Sequence, residues 1–167
     1  EKVHCGLGRS VASTGRLGAE SIERALAALT RFRAIARILR VKNLRAIATA
    51  AVRDASDGRD FIARGERAVG VPIQILSGET EAELAAAGVE MGFRNPLGIA
   101  GDLGGGSLEL VHVGAGRRRD GVTLPLGGLR LIDVTQGRLD RALDITDTQV
   151  TDVPWLGSTD VPTFYAV

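Results

Sequence analysis

The chain has 167 residues, 44% hydrophobic and 25% charged, which is the balance of a globular protein and excludes collagen-like and disordered chains. There is room for one ordinary domain or two small ones, and no run of 18 apolar residues could span a bilayer. A formal net charge of +1 gives no whole-chain case for nucleic acid. Cys5 is the lone cysteine, so no internal disulfide can form; with no signal-peptide pattern at its start, the chain is expected in the cytoplasm. Its 22 glycines exceed the usual share of ~7% and point to tight turns and close backbone approach to a ligand. The only methionine is Met91, and the chain reads as a piece of something longer.

Residues 1–18, rich in Gly and Ser, read as the end of a strand and a loop. Ile22, Leu26, Leu29, Ile35, Ile38 and Leu39 recur at helical spacing, so a helix is predicted over 19–40, with arginines on its other positions. A short strand over 44–49 runs into a helical turn at 49–54, followed by a helix over 58–69 and a strand over 71–76. Ser77-Gly-Glu-Thr-Glu81 opens a third helix to about Met91, with Ser77 as cap and acids in the first turn. Helices alternate with strands through residue 95, which predicts a mostly parallel α/β sheet. Asn95-Pro96 marks a boundary between domains 1–95 and 96–167.

Strands are predicted over 97–103, 107–113 and 117–125, helices over 127–135 and 139–153, and a last strand over 163–167. Trp155 and Tyr165 read as core filling in a chain short of aromatics. Residues 1–95 carry 15 basic and 11 acidic side chains, and residues 96–167 carry 6 and 9. A basic part facing an acidic part suits an anion bridged by a cation.

The most informative stretch is Gly101-Asp-Leu-Gly-Gly-Gly-Ser-Leu-Glu-Leu-Val111. A dinucleotide fingerprint needs a helix after its glycines, whereas the residues here alternate as a strand. The segment is therefore a strand–turn–strand whose three glycines leave amides open to an anion. Asp102 ends the incoming strand, and Ser107 and Glu109 share one face of the outgoing strand. Carboxylates beside phosphate call for a hard cation such as Mg²⁺. His4, Cys5 and His112 are badly spaced for zinc, and none is expected.

This segment resembles the second phosphate motif of the actin-like ATPase (ribonuclease H-like) superfold, in the wording of the Ppx/GppA phosphatase family of exopolyphosphatases and guanosine pentaphosphate phosphohydrolases. Ala48-Thr-Ala-Ala-Val-Arg-Asp-Ala55, Ile75-Leu-Ser-Gly-Glu-Thr-Glu-Ala82 and Leu124-Pro-Leu-Gly127 also resemble the family, in its order and approximate spacing, and Thr163–Val167 resembles a closing strand. The resemblance implies an α/β fold with parts of two subdomains flanking a phosphate cleft: most of subdomain I in 1–95 and the start of subdomain II in 96–167.

The same resemblance implies that Glu81 activates water, with Glu79 as the nearby alternative. It gives Asp102 and Glu109 to Mg²⁺ or Mn²⁺ or to positioning the attacking water, and Gly104, Gly105, Gly106, Ser107 and Arg53 to phosphate. The implied substrates are inorganic polyphosphate and pppGpp, without nucleic acid or membrane partners, and a homodimer is a further expectation. Three departures stand out. Glu83 occupies a position where the family usually has arginine, and both the Asp-x-Gly-Ser loop and the Gly-Gly-Thr turn after Val167 are missing. The chain alone is therefore expected to be inactive. An ATP-dependent small-molecule kinase of the same superfold and a non-catalytic sensor are the alternative readings.

Overall fold

The computed structural model describes residues 2–114, 120–156 and 163–167. Contacts divide the chain into two units, Glu1–Leu76 and Ser77–Val167. The first division therefore falls a helix earlier than Asn95-Pro96, because that helix packs on the strands of the second unit.

The first unit opens with a 3-10 turn, Leu7–Ser10, and a one-turn helix, α1 (Val11–Thr14), where a strand and loop were expected. Leu7 and Val11 stand four apart, which is helical spacing, and both join the core. Gly15 ends α1 in the left-handed conformation at φ 69°. Next come α2 (Ala19–Ile38), β1 (Ala46–Ala48), α3 (Ala50–Asp54), α4 (Gly58–Val69) and β2 (Ile73–Ile75). β1 and β2 are parallel, Ala46 opposite Ile73, as the alternation of helices and strands requires. The core gathers Val11, Leu17, Ala25, Val52, Ala55 and Phe61 from α1, α2, α3 and α4 and the loops between them.

The second unit contains α5 (Gly78–Gly92), β3 (Gly98–Leu103), β4 (Leu108–Val113), β5 (Gly121–Leu124), α6 (Gly128–Thr135), α7 (Leu139–Thr151) and β6 (Phe164–Ala166). The strand expected over 117–125 is described only from Gly121, and Arg117–Arg119 lie outside the described residues. The sheet order is β5-β4-β3-β6, antiparallel except for the parallel β3–β6 pair. Alternation along β3 and β4 separates two apolar layers. Ala100, Val111 and Val113 meet Ala82, Ala86 and Val89 of α5. Ile99, Leu110 and Leu124 meet Leu126 and Val153, with Leu131 of α6 and Ile145 and Val150 of α7 packed against them. Trp155 joins this second layer and lies against the His112 ring at 4.4 Å, while Tyr165 packs on the first layer and on Phe93.

Candidate active site

The β3–β4 hairpin is the strand–turn–strand expected from 101–111. Its register sets Asp102 directly opposite Glu109, and Glu109 opposite Thr123 of β5. Paired residues share a face, so these three side chains form one row across three strands. Ala100 and Val111 fix that face as the one α5 covers. Asp102 is half-buried, whereas Glu109 is only 1% exposed.

α5 begins over the same row. The Ser77 hydroxyl accepts the Thr80 amide at 3.2 Å, the cap expected from the sequence, and the Glu81 amide closes onto the Ser77 carbonyl at 3.0 Å. Gly78 lies so close to the Thr123 side chain that a Cβ would overlap it. Ala82 faces the sheet from the next turn. Glu79 and Glu83 line a hollow of about 480 Å³ with Asp120, Gly121 and Trp155, on the β5 side. At about 100° per residue, Glu81 stands on the flank of α5 opposite to Glu79 and Glu83. Glu81 and Glu79 therefore face different flanks of α5, as a spacing of two residues on a helix requires.

The glycine turn is held from behind by α6. Gly128 donates its amide to the Gly104 carbonyl and Arg130 donates its amide to the Gly105 carbonyl, both at 3.1 Å. These are among the helix's first amides, which have no partner within the helix. Gly127 packs against the Gly105–Gly106 backbone at a distance that leaves no room for a Cβ. Among the described residues no peptide is cis, and in a trans peptide the N–H points opposite to the C=O. With the Gly104 and Gly105 carbonyls turned to α6, the Gly105 and Gly106 amides point away from it. α6 packs in the layer opposite α5, so those amides project on the side that carries Asp102 and Glu109. Gly104 and Gly105 are exposed, and Ser107 is buried beneath the turn. Leu124-Pro-Leu-Gly127 is thereby the support of the turn, a role its spacing alone did not show.

Arg53 belongs to the first unit. Its guanidinium donates to the Leu76 carbonyl at 2.9 Å and lies 3.5 Å from the Asp54 carboxylate, with its side chain 27% exposed. It is half-buried, and one edge of its fork is committed to backbone.

Among the described residues no three His, Cys, Asp or Glu side chains converge as a metal site. A Mg²⁺ ion needs only one or two carboxylates when water and phosphate supply the rest. The donor set fits that use: two acids face each other across a hairpin, an arrangement that repels until a cation lies near it.

The chain spans about a third of the curated relatives it matches and about half of the solved ones. It is 32% identical over 127 residues to Exopolyphosphatase 1 of Mycobacterium tuberculosis, covering 75% of this chain and 37% of that one. An exopolyphosphatase structure from Cytophaga hutchinsonii superimposes with a TM-score of 0.87 at 28% identity, covering 99% of this chain and 56% of its own. The Ppx/GppA family structure from Aquifex aeolicus gives 0.70 at 25% identity, covering 97% and 54%. Its fold is the α/β actin-like ATPase fold of these proteins. The model of the Ppx/GppA phosphatase family matches residues 1–138, and the chain belongs to that family.

Proposed function

We propose that the full-length protein is a phosphohydrolase that removes terminal phosphate from inorganic polyphosphate, from pppGpp, or from both. The observation that carries this reading is the orientation of the glycine turn, whose free amide side faces the side of the hairpin bearing the Asp102–Glu109 pair. Backbone amides so fixed suit the oxygens of a phosphate chain, where charge builds during transfer. Family membership and the relatives' names support the same reaction class.

Water attacks the terminal phosphorus while the bridging P–O bond breaks. The proton lost by water passes to the Glu81 carboxylate, and the shortened chain leaves with the bridging oxygen. The Gly105 and Gly106 amides stabilise the phosphate oxygens, Ser107 supports the turn, and Arg53 supplies a guanidinium to phosphate. Asp102 and Glu109 would hold Mg²⁺ or Mn²⁺, which supplies charge neutralisation at the phosphates. This 167-residue chain alone is inactive in this reading, and the protein works in the cytoplasm as a homodimer. The described residues include no helix long and apolar enough to cross a membrane.

The test is release of inorganic phosphate from polyphosphate and from pppGpp by the full-length protein, with no acceptor added. Release in either case supports the proposal. Phosphate transfer that appears only when a sugar or acetate is supplied would show a kinase, and binding without turnover would show a sensor.

A further inference from the structure

The arginines of α2 separate into distinct groups once the chain is folded. Arg24 bonds the Cys5 carbonyl and Glu20. Arg33, Arg37 and Arg40 instead line a hollow of about 450 Å³ with Leu44 and Val71, half-buried, and Val69, buried, as its apolar floor. Arg33 and Arg37 stand one turn apart on α2 and Arg40 follows just past its end, so the three form one basic stripe along the hollow. Arg33 donates a long hydrogen bond to the Arg67 carbonyl at 3.4 Å. Neither Arg37 nor Arg40 pairs with a carboxylate among the described residues. Like charges four apart on a helix destabilise it, although the negative end of the α2 dipole offsets part of that cost.

Arg40 is also in an uncommon conformation. α2 ends in a Schellman motif: the Val41 amide bonds the Ala36 carbonyl at 2.9 Å and the Arg40 amide bonds the Arg37 carbonyl at 3.1 Å. The residue between helix and exit must adopt a left-handed backbone, and Arg40 does so at φ 53°. α1 and α4 use glycine in the left-handed position at their ends, Gly15 and Gly70. A long cationic side chain stands where the backbone favours glycine, and that side chain lines the hollow.

We infer that this hollow in the first unit is an oligophosphate-binding site separate from the glycine turn. A single carboxylate or phosphate could engage one fork, whereas three forks around one hollow match several linked phosphates. A concave surface of this volume has the size of a small-ligand site rather than of a flat membrane contact. The same phosphate chemistry occurs in inorganic polyphosphate and in a nucleoside polyphosphate, where the apolar floor would also cover a base. Binding here is independent of whether Glu81 activates water.

The test is equilibrium binding to the 167-residue chain, with fluorescent inorganic polyphosphate in one arm and pppGpp in the second. Vesicles of phosphatidylserine and phosphatidylcholine form a third arm, because Ile38 and Leu39 beside the stripe are 79% and 69% exposed. Arg37→Ala and Arg40→Gly should each weaken phosphate-chain binding about tenfold and flatten its salt dependence. Arg40→Gly should leave the melting temperature equal or higher, since glycine suits that backbone, so lost affinity would not reflect lost fold. Binding that both variants weaken supports the site: in the first arm alone it identifies an inorganic chain, and in the second a nucleotide. Unchanged affinity in both variants overturns it, as does arginine-dependent binding to vesicles with none to either phosphate compound. Phosphate release by the full-length protein that persists in these variants leaves the hydrolase reading standing whatever the outcome here.

Discussion

Asp102 and Glu109 occupy directly opposed positions on β3 and β4, one half-buried and the other almost wholly enclosed. The asymmetry gives the two acids different tasks if the pair serves Mg²⁺. Asp102 can reach a hydrated ion, and Glu109 adds negative charge from beneath. Asp102→Asn and Glu109→Gln in the full-length protein should each raise the Mg²⁺ concentration for half-maximal phosphate release by at least about tenfold. A metal titration of phosphate release measures this. Unchanged half-saturation in both would remove the pair from the metal site.

Glu81 and Glu79 are two residues apart but lie on different flanks of α5. Glu81→Gln should lower turnover by about 10² to 10⁴, the range for loss of a general base, with little change in KM. Glu79→Gln faces the β5 side and should change turnover only a few-fold. Parallel steady-state kinetics on the two variants decide the assignment, and equal losses would contradict it.

Gly127 supports the glycine turn through its missing side chain. In Gly127→Ala the new methyl would meet the Gly105–Gly106 backbone, which α6 holds in place through the Gly104 and Gly105 carbonyls. Overpacking of this kind costs about 1–3 kcal/mol. Chemical denaturation should show that loss. The fall in affinity for polyphosphate should be larger than the same change at Gly128, where a Cβ meets nothing within 4 Å.

Asp140 supplies a pH dependence remote from the site. The Arg138 guanidinium, bonded to it at 2.6 Å, holds its carboxyl below the ordinary 3.8, with a backbone hydrogen bond from Arg141 acting in the same direction. A carboxyl depressed on folding stabilises the fold above its unfolded value, and that contribution is lost as pH falls through the folded value. Arg138→Ala should move the Asp140 titration upward in a carboxyl-detected NMR experiment. Because the pair is exposed, the effect on overall stability should be small.

Much of the local structure follows directly from residue order. α4 lies at 58–69 as its apolar spacing requires, and Ser77 caps α5 as its hydroxyl and the following acids imply. Gly104–Gly106 between two alternating segments allows little except a hairpin. Residues 7–14 form helical turns where Gly and Ser suggest loop, because the packing of Leu7 and Val11 in the core of the first unit selects helical spacing. That preference comes from distant parts of the chain, which a local composition does not register.

The candidate site divides in the same way. Residue types alone place a glycine turn with exposed amides near two acids, the pattern of an anion site with a cation beside it. Which way the amides face was settled only by the folded chain, through the two hydrogen bonds from Gly128 and Arg130. The placing of Glu79 beside Asp120 and Gly121 and the gathering of Arg33, Arg37 and Arg40 around one hollow likewise needed the tertiary structure. Sequence spacing fixes position along a helix or strand, but the direction a group faces depends on which layer packs behind it.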